Sequence, residues 1–261
     1  MDRRMAGREK CYISAPKDIN LRIPDDLIKC VGFVSRYAQT LKFGGTAFVV
    51  GVKMDETHIY AHLVTAKHVA EAIEPGESVI AMNALDRAPR YLYTGDTHWF
   101  YHPTEPDSVD VAVLPFGCER FPDYDLTWIA EDCFATDQRI AEFGIGLGDE
   151  LVIIGLFTKF FGSSHLIPIV RTGNIAMMPR DKVPVKDFGE IEAYLAEGRS
   201  IGGLSGSPVF VRNTVHIAGM NKDLKPSYTA GLGPLHFLGL MHGHWDLPAK
   251  FSEAEKEEAV N

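Results

Sequence analysis

Apolar positions along the 261-residue chain fall into short runs, each bounded by turn-forming residues. The runs are Thr46–Lys53 (TAFVVGVK), His58–Thr65 (HIYAHLVT), Ser78–Met82, Asp110–Phe116 (DVAVLPF), Glu150–Leu156 (ELVIIGL), His165–Ile169, Ser207–Arg212 (SPVFVR) and Leu235–His242 (LHFLGLMH). They are rich in Val, Ile, Phe and Tyr, which fit a pleated, half-buried surface, and Gly, Asp, Pro or Asn flanks most of them. The pattern predicts strands. Helical spacing occurs in three places: one short turn at Val69–Ile73, Asp187–Glu197 with Phe188, Ile191 and Leu195 on one side, and Phe251–Val260, which opens on a Ser252…Glu255 capping box. Strands joined by loops rather than by regular helices argue for an all-β, mainly antiparallel fold and against a parallel α/β sheet.

The order of these runs suggests an organisation. Residues 1–40 open on a polar stretch and read as an N-terminal arm. Two strand-rich units follow, over about 41–118 and 140–247, joined by a polar linker over about 119–139, and residues 248–261 read as a C-terminal helix. No repeat or low-complexity tract interrupts the chain.

Composition narrows the function. With 46% hydrophobic and 23% charged residues, the chain is a globular protein rather than a disordered one. Its length is enough to bury a core without disulfides or a structural metal. The formal charge of −9 repels a phosphate backbone, and no basic patch is longer than Arg3-Arg4, so nucleic acid is not an expected partner. The amino terminus lacks an apolar run of secretory type, and no eighteen apolar residues run together, so neither export nor a membrane span is expected. Cys11, Cys30, Cys118 and Cys133 show no C-x-x-C spacing, and four reduced thiols in the cytoplasm are the expectation, with a Cys118–Cys133 bridge as the alternative.

Three segments carry candidate chemistry: Leu63–Val69 (LVTAKHV), Ser108–Leu114 (SVDVAVL) and Gly202–Val209 (GGLSGSPV). Each sets one polar residue where an apolar strand meets a turn, the place where scaffolds present reactive groups. Together they offer His68, Asp110 and Ser205. A serine hydroxyl becomes a nucleophile when an imidazole takes its proton, and the imidazole needs a carboxylate to fix its tautomer. A glycine-rich turn supplies bare N–H groups for an oxyanion, here those of Gly203 and Ser205.

With these residues in place, the chain resembles the trypsin/chymotrypsin-like serine peptidases, including bacterial trypsin-like peptidase domains. TAKHV is similar to that family's T-A-x-H segment, DVAVL to its D-[IV]-A-[VL]-L segment, and GLSGSPV to its G-x-S-G-[GS]-P segment, in the family's order over roughly residues 40–245. The resemblance implies two packed six-stranded antiparallel β-barrels over 41–247, with the triad between them. Its implied activity is a cofactor-free serine endopeptidase acting on protein or peptide substrates. Leu204 departs from the family's zymogen Asp, and Val69 from the disulfide Cys of secreted members. Both departures suit an intracellular enzyme without a propeptide. The segment Phe237–His242 with Gly243-His244-Trp245 is similar to the edge that pairs with an extended substrate, which makes Met241, His242, Gly243 and His244 candidate substrate-binding residues. Arg199 would lie near the base of the first specificity pocket.

Other readings compete with these. A lone His68 would read as a core histidine, Ser205 as a turn residue, and Asp107 as a rival orienter. Gly203-x-Ser205-x-Ser207 misses the G-x-S-x-G elbow, and Gly144-x-Gly146-x-Gly148 precedes a strand instead of following one. His236, His242 and His244 lack a Cys or Glu at ligand spacing, so no metal is expected. Phe100 and its aromatic neighbours Trp99 and Tyr101 read as core cover rather than a stacking platform. Two functional rivals stay open: a catalytically silent protease fold that binds peptides, its cleft covered by a loop such as 220–233, and an esterase using the same triad.

Overall fold

The computed structural model describes residues 23–36, 42–55, 58–73, 78–94, 97–117, 123–185, 189–198, 202–212, 216–220, 226–229 and 235–243. In chain order the strands are β1 (Val31–Arg36), β2 (Lys42–Lys53), β3 (Ile59–Thr65), β4 (Ser78–Asn83), β5 (Pro89–Tyr93), β6 (Phe100–Tyr101), β7 (Ala112–Phe116), β8 (Ile129–Ala130) and β9 (Glu150–Gly155). They continue with β10 (Ile169–Met177), β11 (Lys182–Val185), β12 (Gly189–Glu192), β13 (Leu195–Gly198), β14 (Pro208–Arg212), β15 (His216–Met220), β16 (Pro226–Thr229) and β17 (Leu235–Leu240). Among the described residues three short α-helices, α1 (Asp25–Ile28), α2 (Lys67–Ile73) and α3 (Asp137–Phe143), and a 3-10 turn at Glu131–Cys133 interrupt them. The fold is mainly β, as the short apolar runs predict.

Two large sheets form. The first runs β5-β4-β1-β2-β3-β7-β6, antiparallel throughout, with β8 added in parallel beside β2. The second runs β13-β10-β9-β14-β17, also antiparallel. β11 pairs with β12 and β15 with β16 as separate hairpins. The described residues give sheets of eight and five strands with two hairpins, within the all-β, mainly antiparallel class expected.

Period-two alternation explains how the layers assemble. In the first sheet Val34, Ala47 and Val49 face one apolar cluster, while Phe33, Phe48 and Val50 face another. In the second sheet Val152, Ile154 and Phe210 join that second cluster, and Leu151, Ile153, Val209 and Val211 face a third. The shared middle cluster is the seam between the sheets, and each sheet has its own core on its far side. Strands buried on both faces lose the polar alternation of a half-exposed strand, which is why TAFVVGV and ELVIIG read as continuous apolar runs.

Several expectations change. Val31–Arg36, inside the stretch expected as an arm, is an interior strand between β2 and β4. The helix expected over Asp187–Glu197 is instead β12 followed by β13. Its three-and-four spacing coexists with a period of two, since Ile191 is buried between exposed Glu190 and Glu192, and hairpin pairing with β11 decides. The stretch expected as linker holds β8 and the start of α3. In α3 the Thr136 side chain accepts from the Arg139 N–H at the start, and Gly144 closes the end in the left-handed region at φ 64°. Within the run expected at His165–Ile169 only Ile169 is strand, because the backbone of Leu166 is instead paired with the Asn83 side-chain amide at 2.8 Å in both directions. The thiol of Cys133 is free and raised in pKa by its burial, which disfavours the thiolate. The C-terminal helix expected at 248–261, Cys11 and Cys118 lie outside the described residues.

Candidate active site

The candidate residues come from three separate segments. His68 sits in the first turn of α2, directly after β3. Asp110 precedes β7, and β7 pairs antiparallel with β3, so sheet register carries the carboxylate alongside the start of α2. The two meet at hydrogen-bond distance: His68 Nδ1 lies 2.8 Å from Asp110 Oδ2, and the His68 backbone N–H donates to Asp110 Oδ1 at 2.9 Å. Lys67 secures the loop ahead of Asp110 by donating to the Pro106 carbonyl at 2.6 Å. Asp107, the rival orienter, is fully exposed and faces Lys67 instead, so it is not the partner of His68.

Ser205 lies in a tight turn between Gly203 and Gly206, whose φ values are 102° and 80°. A side chain at either position would be strained, and a Cβ on Gly206 would collide with the Thr46 carbonyl and the Thr65 hydroxyl. The turn is fastened to the first sheet. The Thr46 N–H donates to the Ser205 carbonyl at 2.9 Å, and the Thr46 hydroxyl donates to the Gly203 carbonyl at 3.0 Å while accepting from the Leu156 N–H at 3.0 Å. Thr65 in turn donates to the Thr46 carbonyl at 2.6 Å. Two buried threonines thus bring the serine turn of the second sheet against the junction of β3 and α2. The N–H groups of Gly203 and Ser205 donate to nothing among the described residues.

The Ser205 hydroxyl donates to the carbonyl of His242 at 3.3 Å, and no hydrogen bond from it to His68 is formed. His242, expected only as a substrate contact, also reaches inward: its Nδ1 bonds to Asp110 Oδ2, the same oxygen that His68 uses. The two imidazole rings stand edge to face, 5.4 Å apart. Burial is the largest influence on Asp110 and pushes its pKa up. Hydrogen bonds from the His242 ring, the His68 ring and the His68 backbone outweigh it and lower the pKa to about 2. An ionised carboxylate is only an acceptor, so both Nδ1 atoms carry the donated proton.

Met241 exchanges backbone hydrogen bonds with Gly206 and Ser207 at 2.8 Å, which ties the end of β17 to the serine turn. Gly243 is exposed with open space around it. Arg199 and His244 lie outside the described residues. Thr46, Thr65 and the inward role of His242 were not foreseen from sequence, because their partners are 157, 19 and 132 positions away. One set of ligand-type atoms also converges here, on His68, Asp110 and His242, all within 4.8 Å of one another. The metal weighed from sequence paired His242 with His236 and His244, whereas the structure sets His242 beside His68 and Asp110.

Comparison with solved structures finds similar chains. Deg5 is 16% identical, covering 71% of this chain and 75% of that one, with a TM-score of 0.48. The MamO protease domain from Magnetospirillum magneticum is 12% identical, covering 78% and 91%, with a TM-score of 0.49. The serine endoprotease from Yersinia pestis is 14% identical, covering 83% and 64%, with a TM-score of 0.41. Two of these three are proteases by name. No protein-family model matches the chain, and no curated protein matches it. At identities this low the chemistry is read from the site's own atoms. No helix among the described residues is long and apolar enough to cross a membrane.

Proposed function

We propose that the chain is a serine endopeptidase of the trypsin/chymotrypsin type, with Ser205 as nucleophile, His68 as general base and then general acid, and Asp110 as the group that orients His68. The observation that carries this reading is the two-point hold of Asp110 on His68, through ring and backbone at 2.8 and 2.9 Å, beside a serine turn fastened by Thr46. With the proton of His68 on Nδ1, the neutral ring's Nε2 is the lone-pair side, which a general base requires. The reaction starts when the Ser205 hydroxyl leaves the His242 carbonyl by rotation about its own side-chain bond and donates to His68 Nε2. The serine oxygen then adds to the peptide carbonyl, and the imidazolium faces an ionised Asp110. The undonated N–H groups of Gly203 and Ser205 would hold the oxyanion. His68 next protonates the leaving amine, and water repeats the sequence on the acyl-enzyme. None of these steps calls for a cofactor.

An extended peptide or protein segment would pair along Met241–Gly243, with Arg199 and His244 as further contacts. A cytoplasmic setting fits the reading, as the cysteine usage suggests. Incubating the protein with a peptide library tests the proposal: cleavage by the parent chain and none by Ser205→Ala, with the melting temperature changed by only a few degrees, is the expected result. Equal cleavage by the variant would sink it.

A second reading, a silent protease fold that binds peptides, is favoured by one observation, the Ser205 hydroxyl resting on the His242 carbonyl instead of on His68. Peptide binding without turnover would support that reading, and ester turnover without peptide turnover would support an esterase.

A further inference from the structure

His242 has no task in the reaction as written above, yet it shares the most buried charge of the site. Two imidazoles and one carboxylate converge there, and the side chains of His68, His242 and Asp110 are 34%, 26% and 4% exposed. The carboxylate forms a floor, and the two rings stand between it and solvent.

We infer that His68, Asp110 and His242 form a reversible binding site for a borderline divalent cation of the Zn2+ class, and that occupation of this site silences Ser205. Two nitrogens and one carboxylate oxygen are a donor set that suits zinc, whose bonds of about 2.0–2.2 Å place tetrahedral ligand atoms roughly 3.3–3.5 Å apart. His68 Nδ1 and Asp110 Oδ2 are 2.8 Å apart and His242 Nδ1 lies closer still to the same oxygen, so the ligands open by roughly half an ångström on the His68 side, and by more on the His242 side, to admit the ion. Each ring now donates from Nδ1 to the carboxylate. When the ion takes the place of those protons, each neutral ring keeps one proton, moved through solvent from Nδ1 to Nε2. The consequence for His68 is decisive: its Nε2 becomes an N–H donor and has no lone pair for the Ser205 proton. The ion acts as a wrong-tautomer lock, the same logic by which loss of the orienting carboxylate disables such a triad. The geometry of the site supports cation binding by itself, whereas the silencing rests on the triad reading.

The test separates the two. Metal-free protein is titrated with Co2+, followed by its visible absorption, and the cobalt is then displaced with Zn2+. One cobalt per chain with the intense absorption of a low-coordinate site, lost on adding Zn2+, is expected. Affinity should fall at least about tenfold in His242→Ser and in Asp110→Asn, and stay unchanged in His58→Gln, whose exposed ring lies outside the cluster. Circular dichroism confirms that each variant is folded. No cobalt binding by the folded parent, or unchanged affinity in both His242→Ser and Asp110→Asn, would overturn the site. In a second measurement a fluorophosphonate probe labels Ser205 with and without saturating Zn2+. Labelling slowed at least about tenfold in the parent and not in His242→Ser supports the lock, and labelling indifferent to Zn2+ overturns it. If the probe labels nothing under any condition, the serine reading fails and the silencing falls with it, while the cobalt titration still decides the site.

Discussion

Replacing Thr46 by Val tests how the two sheets jointly hold the serine turn. The Thr46 hydroxyl is buried, donates to Gly203 and accepts from Leu156, both at 3.0 Å, so it links β2, the end of β9 and the turn. Valine keeps the shape and removes both bonds, leaving a part-buried C=O and a buried N–H stranded at about 1–3 kcal/mol each. A methyl group also cannot sit 3.0 Å from a carbonyl oxygen without displacing it. The expected loss is therefore about 2–5 kcal/mol, or about 5–15 °C in Tm for a chain of this size. Thr46→Ser keeps the hydroxyl, drops one methyl and should lose only about 1 kcal/mol. Urea unfolding at a fixed pH measures stability, and the rate of fluorophosphonate labelling of Ser205 reports on the turn. Valine should slow labelling well beyond serine. Loss below about 1 kcal/mol for valine, or equal losses for valine and serine, would refute the idea that the hydroxyl's two hydrogen bonds fasten the turn.

Three further outcomes follow from the same geometry. Gly206→Ala places a Cβ against the Thr46 carbonyl at a φ of 80°, so it should cost at least about 2–3 kcal/mol in urea unfolding; a loss within 0.5 kcal/mol of zero, on the order of an ordinary surface change, would count against the tight turn. Asp110 has a pKa lowered from 3.8 to about 2, so it binds protons more readily unfolded than folded between those values. Its contribution, about 2 kcal/mol, is present above pH 4 and is lost as pH falls toward 2; Asp110→Asn should flatten the stability profile over that window, and an unflattened profile would contradict it. His236 is buried, neither ring nitrogen has a partner among the described residues, and burial lowers its pKa. Its neutral form is favoured by folding, so stability should fall as pH drops below the ordinary imidazole value of about 6.5, and His236→Phe should remove that fall in thermal unfolding at pH 5–7.

The candidate triad was legible because its chemistry is local. His68, Asp110 and Ser205 each stand at a strand–turn junction in a segment of about seven residues, and Gly203 and Gly206 mark a turn that only glycine can make. The predicted strands share this locality, since burial on both faces writes itself as an apolar run. What joins the segments was not legible. Thr46 reads as one residue of a strand, and its partner Gly203 is 157 positions away. His242 reads as a residue of an edge, and only the fold brings its ring to Asp110. Strand β1 was hidden for a different reason: VGFVSR is short and mixes polar with apolar residues, and its burial depends on β2 and β4. The stretch 187–197 satisfied two periods at once, and a hairpin partner decided between them.

The central claim is that Ser205 is an activated nucleophile, and covalent capture tests it most directly. The folded chain is treated with a fluorophosphonate, digested and mapped by mass spectrometry. A single adduct on Ser205, absent from Ser205→Ala and strongly reduced in His68→Ala, is the predicted result. A folded protein that acquires no adduct, or acquires it equally in His68→Ala, would contradict the account.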